Sequence, residues 1–428
     1  MAHFTRRRFI QTTGACTAFA SLAAVTPTAF GKQAKARVIV IGGGYGGAIA
    51  AKYIKMADPA IDVMLIEKNA HYVSCPMSNE VLSGERSIDS ITFDYKTLGA
   101  SHAVNVVHDA VVEIDATGHT LKTGSGKQYT YDKLVVSPGI DFRFDKINGY
   151  SAEVAKKIPH AWKAGPQTLL LRKQLEAMRD GGVCYIAAPP NPFRCPPGPY
   201  ERAAQIAHYF KQHKPKSKVV ILDAKDKFSK QGLFMQGYKK FYGDMVEWVS
   251  GASGGIIEAV DAKTKTLVGQ VDEYKGDVLN VIPAQKAGKI AHLAGLTDDS
   301  GWCPVDQRTF ESTLHKDIHV IGDASIAGKM PKSGYAANSQ AKVCAAAVVA
   351  VLNGEAPGEP SYVNTCYSII SPEWGVSVAA VYQLVNGGIV GVEGAGGLSP
   401  MDASDETRAI EAQFARSWFR NITADMFT

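Results

Sequence analysis

Cysteine is scarce in this chain: seven occur among 428 residues. That is too few for a disulfide scaffold at this size. Cys16 lies in an N-terminal segment read below as a removable signal, which leaves Cys75, Cys184, Cys195, Cys303, Cys344 and Cys366. Six cysteines allow one or two bridges with a specific purpose. The haem-attachment pattern C-x-x-C-H is absent, which excludes a c-type haem carried by this chain itself. A basic block is absent too. Lysine and arginine number 46 against 41 acidic residues, a net charge of +5. Residues 1–31 hold Arg6, Arg7 and Arg8 and no acid, so the remainder is close to neutral. That balance gives no reason to expect a nucleic-acid partner. There is no low-complexity tract, no repeat beyond two βαβ units, and no residue set assigned to a metal. What is present is 46% hydrophobic and 20% charged residues, which suits a soluble protein of two or three domains.

The N-terminus reads as a targeting segment. Residues 5–11, TRRRFIQ, resemble the twin-arginine export pattern. The stretch 12–30 is broken by Thr, Ser, Gly and Pro and is too polar for a membrane anchor, so no stable membrane insertion is expected. Small residues offer cleavage points at 29–31 and 34–36. Twin-arginine export carries proteins already folded around a cofactor. The destination it implies is a bacterial periplasm, where disulfides persist.

The organising stretch is RVIVIGGGYGG at 37–47. Its apolar, β-branched run predicts a buried parallel strand. The strand leads into Gly42, Gly44 and Gly47, a G-x-G-x-x-G that opens a helical run at 48–57. A second strand is predicted at 63–66, ending at Glu67, whose carboxylate suits ribose hydroxyls. In that context the glycines point to a dinucleotide pyrophosphate at a helix N-terminus; the alternative is a glycine-rich turn of some other α/β unit.

Residues 71–85 are irregular and hold Cys75. Residues 105–115 and 119–122 predict strands of a hairpin or small sheet. TYDKLVVSPG at 130–139 resembles, imperfectly, a strand-and-turn element of the two-dinucleotide-domain flavoproteins. A second βαβ unit follows, with helices at 168–179 and 201–213 and strands at 183–188 and 218–222. Its phosphate loop departs from the pattern. Residues 187–200 read AAPPNPFRCPPGPY where a nicotinamide site needs glycines. Prolines supply no N–H groups and keep the backbone from wrapping a pyrophosphate. The unit therefore reads as a nucleotide fold that has lost its nucleotide. The strand at 314–325 ends in Gly322-Asp323, which resembles the second flavin-binding motif. An alanine- and valine-rich helix is predicted at 339–352, its positive end near 335–338 suited to a flavin pyrimidine ring. After a punctuated linker at 353–360, strands are predicted around 376–385 and 388–392, then a helix at 405–424 with Phe414, Trp418 and Phe419 on one side.

Taken together, these features resemble the flavoprotein subunit of flavocytochrome c sulfide dehydrogenase, over nearly the whole chain from Arg37. The flavin motifs set only the glutathione-reductase-like superfamily. The specific marks are SCPMSNE at 74–80, RCPPGPYER at 194–202 and NTCYS at 364–368. The resemblance implies an α/β fold with two Rossmann-like dinucleotide-binding domains, the FAD domain discontinuous, plus a C-terminal α+β interface domain. The boundaries expected are 1–36 for the signal, 37–150 and 291–357 for the FAD domain, 151–290 for the second Rossmann-like domain and 358–428 for the C-terminal domain. It also implies FAD joined to Cys75 through a thioether, a redox disulfide between Cys195 and Cys366, Glu201 close to that pair, and FAD contacts from Gly42, Gly44, Gly47, Glu67, Gly322 and Asp323. The implied substrate is hydrogen sulfide, and the implied partner is a separate c-type cytochrome subunit carrying haem.

Sulfide oxidation needs an electrophilic sulfur and an electron store. A disulfide supplies the first, because hydrosulfide attacks one sulfur and releases the other as thiolate. The flavin supplies the second. The bland reading of each cysteine is a buried, inert thiol, which fits Cys184, Cys303 and Cys344 best. Glu201 reads either as a base or as a carboxylate complementing a helix dipole. Arg194 reads either as a cation beside Cys195 or as a surface residue. The aromatic stripe reads as core, and the resemblance adds a place for Trp418 near the flavin or a subunit contact. Two rivals remain at this stage: a sulfide:quinone oxidoreductase, and a non-catalytic accessory flavoprotein of a thiosulfate-oxidising system.

Overall fold

A computed structural model describes residues 34–428. The export segment and the first cleavage point lie outside the described residues. Val38 to Ile41 are buried on both faces, as a central parallel strand requires. The strand Arg37–Ile41 is the middle of a five-stranded sheet, flanked in parallel by Asp62–Ile66 and Lys133–Val136. Asn105–Val107 closes one edge and Ile318–Val320 the other. The first nucleotide fold is thus completed by a strand from far down the chain.

Residues 105–115 do not form one strand. Asn105–Val107 joins the parallel sheet, and the chain then bends before Val111–Asp115, which pairs antiparallel with Thr120–Thr123. The bend is fixed by Asp109, whose carboxylate accepts from the N–H of Ala110 at 2.8 Å and from Ser125. A short side chain that captures nearby backbone N–H groups competes with the ladder.

The second sheet is also parallel, in the order Val246–Val249, Lys218–Asp223, Val183–Ala188, Val278–Val281. The chain leaves the first sheet through Ile140–Phe142 and returns through Gln285–Ala287, and these two segments pair antiparallel. Helix Gly198–His213 starts three residues before the expected position, with a proline in its first turn where the missing N–H is harmless. Glu201 consequently lies within that turn.

The C-terminal unit is an antiparallel meander, Ser361–Ser371, Trp374–Val385 and Gly388–Leu398, followed by helix Asp405–Phe427. The first strand was not expected. Phe419 is buried and Phe414 is 54% exposed, so the three aromatics do not share one side. At 100° per residue, positions 414 and 419 lie well apart around the helix. Helix Gly334–Leu352 begins earlier than expected because Ser333 caps it, accepting from the N–H of Ala336 at 3.1 Å. Among the described residues this is the one helix long and apolar enough to cross a membrane, and it packs against helix Gly47–Ala57 in the core.

Candidate active site

The glycine loop is a close-packed cradle. Gly42 has φ +95, and a Cβ there would stand 2.3 Å from the Ser137 carbonyl oxygen. A Cβ on Gly47 would stand 1.8 Å from the Gly42 carbonyl oxygen, so helix and strand approach only without one. Gly44 lies between them. Glu67, at the end of the neighbouring strand, accepts from the N–H of Gly43 at 2.9 Å and from Asn69. That fixes the carboxylate beside the loop, where a ribose would lie.

Asp323 follows Gly322 in a short turn. Gly322 donates its N–H to Gln340 Oε1 at 2.8 Å. Asp323 Oδ1 is buried with no hydrogen-bond partner, and Oδ2 lies 3.8 Å from Arg194. Burial pushes this carboxyl up, opposed by Arg194 and Lys332. A buried acceptor left open calls for a donor from outside the chain. The cradle, Glu67 and this open oxygen fit the two halves and the middle of FAD.

The three sequence marks meet at one point. Asn79, on helix Ser78–Ser83, donates to Glu201 Oε2 at 2.9 Å. Glu201 Oε1 accepts from the N–H of Ile369, on the strand that carries Cys366, at 2.8 Å. Burial raises the Glu201 carboxyl, while the Ile369 and Asn79 hydrogen bonds pull it back. Arg202 is buried beneath this junction. It donates to Asn79 Oδ1, Asn280 Oδ1 and the carbonyls of His160 and Ala161, with its guanidinium 4.8 Å from the Trp162 ring centroid.

Cys195 holds φ +58 in the proline loop. Its N–H donates to the Lys332 carbonyl at 2.8 Å, and its carbonyl accepts from Gly198 N–H at 2.8 Å. Cys366 shares one face of its strand with Asn364 and Ser368, and Asn364 Nδ2 lies 3.4 Å from its sulfur. Both cysteines are free thiols here; Cys195 lies within the fields of Glu201 and Lys230, and Lys230 in turn lies within the field of Cys366. Burial pushes the Cys195 thiol up, reinforced by Cys366 and Glu201. Arg194 is largely buried rather than at the surface, and its charge acts to lower the Cys195 thiol, against the larger effect of burial. It hydrogen-bonds the Trp162 carbonyl and faces Asp323. Cys75 reaches the same carbonyl, its sulfur at 3.7 Å, which brings it to the Arg194–Asp323 side of the site. Cys184, Cys303 and Cys344 are fully buried elsewhere, with burial raising the first two thiols to about 12.

Sequence reasoning held Asn79 and Arg202 inside its marks without giving either a role, and it missed Trp162 and Lys230. Lys230 is 4% exposed and donates to the Cys366 carbonyl at 2.9 Å and to Ser368 Oγ at 2.8 Å. Nothing in its local sequence marks it, since a lysine before a helix is ordinarily solvated.

Several known proteins and protein families are similar to this chain. Residues 168–283 match the family described as the central part of the sulfide dehydrogenase [flavocytochrome c] flavoprotein chain, and 358–427 match flavocytochrome c sulphide dehydrogenase, flavin-binding. Residues 36–167 match pyridine nucleotide-disulphide oxidoreductase. The sulfide dehydrogenase flavoprotein chain of Chlorobaculum thiosulfatiphilum is 53% identical over 45 residues, which are 10% of this chain and 94% of that short sequence. The mitochondrial sulfide:quinone oxidoreductase of Mus musculus is 22% identical over 325 residues, 70% of this chain and 67% of that protein. The structure of the sulfide:quinone oxidoreductase from Aquifex aeolicus superposes with a TM-score of 0.70 at 16% identity, covering 91% of this chain and 92% of that one.

Proposed function

This chain belongs to the family of flavoprotein chains of flavocytochrome c sulfide dehydrogenase, and from that premise we propose that it oxidises hydrogen sulfide at Cys195 and Cys366 and passes the electrons to a c-type cytochrome subunit. The observation that carries the reading is the meeting of Cys195, Cys366, Glu201 and Lys230 at the junction of the three sequence marks. FAD would be held at its pyrophosphate by Gly42, Gly44 and Gly47, at the adenosine ribose by Glu67 and at the ribityl or pyrophosphate by Gly322 and Asp323, with Cys75 as the residue for a thioether. Bound FAD supplies a two-electron acceptor that releases electrons singly, as a haem requires.

The chain's own residues open the reaction. With Cys195 and Cys366 oxidised, hydrosulfide attacks one of their sulfurs. A new S–S bond forms as the old one breaks, and the second cysteine leaves as thiolate. Glu201 takes the proton from hydrogen sulfide or from the thiols, held in line by Asn79 and the Ile369 N–H. The proline loop keeps Cys195 in a strained conformation that a flexible loop would lose. The same prolines remove the donors a nicotinamide dinucleotide needs, which argues against a nicotinamide acceptor. The twin-arginine pattern at 5–11 supports a periplasmic location.

A second reading, with quinone as acceptor, draws on the exposed Ile410 and Phe414 of the C-terminal helix, one turn apart. Steady-state turnover decides. Sulfide-dependent reduction of cytochrome c, faster than that of a short-chain quinone, supports the flavocytochrome reading. Turnover with quinone and none with cytochrome c overturns it.

A further inference from the structure

Lys230 is a buried cation with only neutral partners. Its two hydrogen bonds go to the Cys366 carbonyl and to Ser368 Oγ, and among the described residues no carboxylate contacts it. An ammonium has three donors, so one remains without a hydrogen-bond acceptor, with the Phe234 ring centroid 5.8 Å away. A buried charge without a counter-ion is unfavourable unless an anion joins it. Ser368 and Cys366 are two residues apart on one strand and share a face, so the ammonium stands on the side to which the Cys366 sulfur points.

We propose that Lys230 is the counter-ion of an anionic sulfur carried by Cys366, as thiolate or as persulfide. The proposal deepens the sulfide-oxidation reading and rests on it. When hydrosulfide opens the cysteine pair, one S–S bond forms, another breaks, and one negative charge enters and stays on sulfur. Lys230 is the group that meets that charge at Cys366. Burial pulls the Lys230 ammonium down, and Cys366 is foremost among the groups that oppose the pull. The other titratable groups facing this corner are Cys195 on the proline loop, Glu201 on helix Gly198–His213, Glu411 on the C-terminal helix and Tyr382 on the adjacent strand. Glu411 is already paired with Arg408 at 3.0 Å. Glu201 is satisfied by Asn79 and Ile369. Neither takes the free donor.

The test needs neither sulfide nor an electron acceptor. The full-length flavoprotein is reduced with a phosphine and pulsed with iodoacetamide across a pH series, and alkylation of Cys366 is read by peptide mass spectrometry. Lys230→Met removes the charge. Lys230→Gln removes it but keeps a donor to Cys366 and Ser368, in case the methionine variant misfolds. Lys230→Arg keeps the charge. At neutral pH, Cys366 in the first two variants is expected to react about tenfold more slowly, its profile displaced to higher pH by about one unit, with arginine within about twofold of wild type. An unchanged Cys366 profile in both neutral variants overturns the proposal, and so does an arginine variant as slow as methionine. Failure of sulfide to reduce the flavin would sink the sulfide-oxidation reading while leaving this result to stand by itself.

Discussion

Substituting Arg202 by methionine tests whether the three sequence marks are held together by one buried guanidinium. Four acceptors take its N–H groups: Asn79 Oδ1, Asn280 Oδ1, and the carbonyls of His160 and Ala161. The His160 carbonyl keeps a second donor, Asn280 Nδ2 at 2.8 Å, but the other three lose the partner described here. Each buried acceptor left unsatisfied costs about 1–3 kcal/mol. Against that stands the burial cost of the guanidinium, which lowers its pKa from 12.5 to about 10. At 1.36 kcal/mol per unit, removing the charge recovers roughly 3 kcal/mol. The net expectation is a loss of about 3 kcal/mol, worth roughly 3 °C of melting temperature in a chain of this size. Near-UV circular dichroism on heating measures it, with Arg202→Lys expected between the two. Asn79 would also lose its anchor, so Glu201 would be less well held, and sulfide-dependent bleaching should slow. An Arg202→Met protein as stable as wild type would refute the reasoning, because burial of the charge would then outweigh the hydrogen bonds.

Gly47→Ala places a Cβ 1.8 Å from the Gly42 carbonyl oxygen, so the purified variant should carry little flavin; full flavin content by absorbance would count against the cradle. Cys75→Ser should release its flavin into the supernatant on acid precipitation while wild type retains it, and free flavin from wild type would end the thioether assignment. Lys332 is lowered from 10.5 to about 8, chiefly by burial. A cation with a lowered pKa penalises the folded state fully below about pH 8, and the penalty fades as pH rises toward 10.5. Discounted for its partial exposure, stability should climb by ~1–2 kcal/mol over that window. Lys332→Met should flatten that climb in urea titrations, and an equally steep climb would contradict it.

Much of the scaffold was legible because the pattern and the packing agree. Arg37–Ile41, Val183–Ala188 and Lys218–Asp223 are continuous apolar runs, and both faces of a parallel strand are buried. The glycine loop was legible from its spacing. The strand Ser361–Ser371 was not, because Asn364, Thr365 and Ser368 dilute its apolar run. Asn364 and Ser368 are buried with polar partners, Ser333 and Lys230, and such polar inward positions break the usual alternation. The break at 108–110 was missed because a captured backbone N–H leaves no hydrophobic signature. The cysteines, Glu201 and Asp323 came from motifs. Arg202 lay inside a motif but without a role, and Lys230 lay outside all of them, since their meaning rests on partners 41 or more residues away in sequence. A buried cation can be recognised only once the fold shows what surrounds it.

The most direct test of the central claim is an anaerobic titration of the purified protein with sulfide, followed by flavin absorbance, with Cys195→Ser alongside. Bleaching of wild type at near-stoichiometric sulfide, recovery of the yellow colour on adding cytochrome c, and neither change in the variant are the results predicted. Wild-type flavin indifferent to sulfide, or a Cys195→Ser protein that bleaches as readily, would contradict the assignment of sulfide oxidation to this cysteine pair.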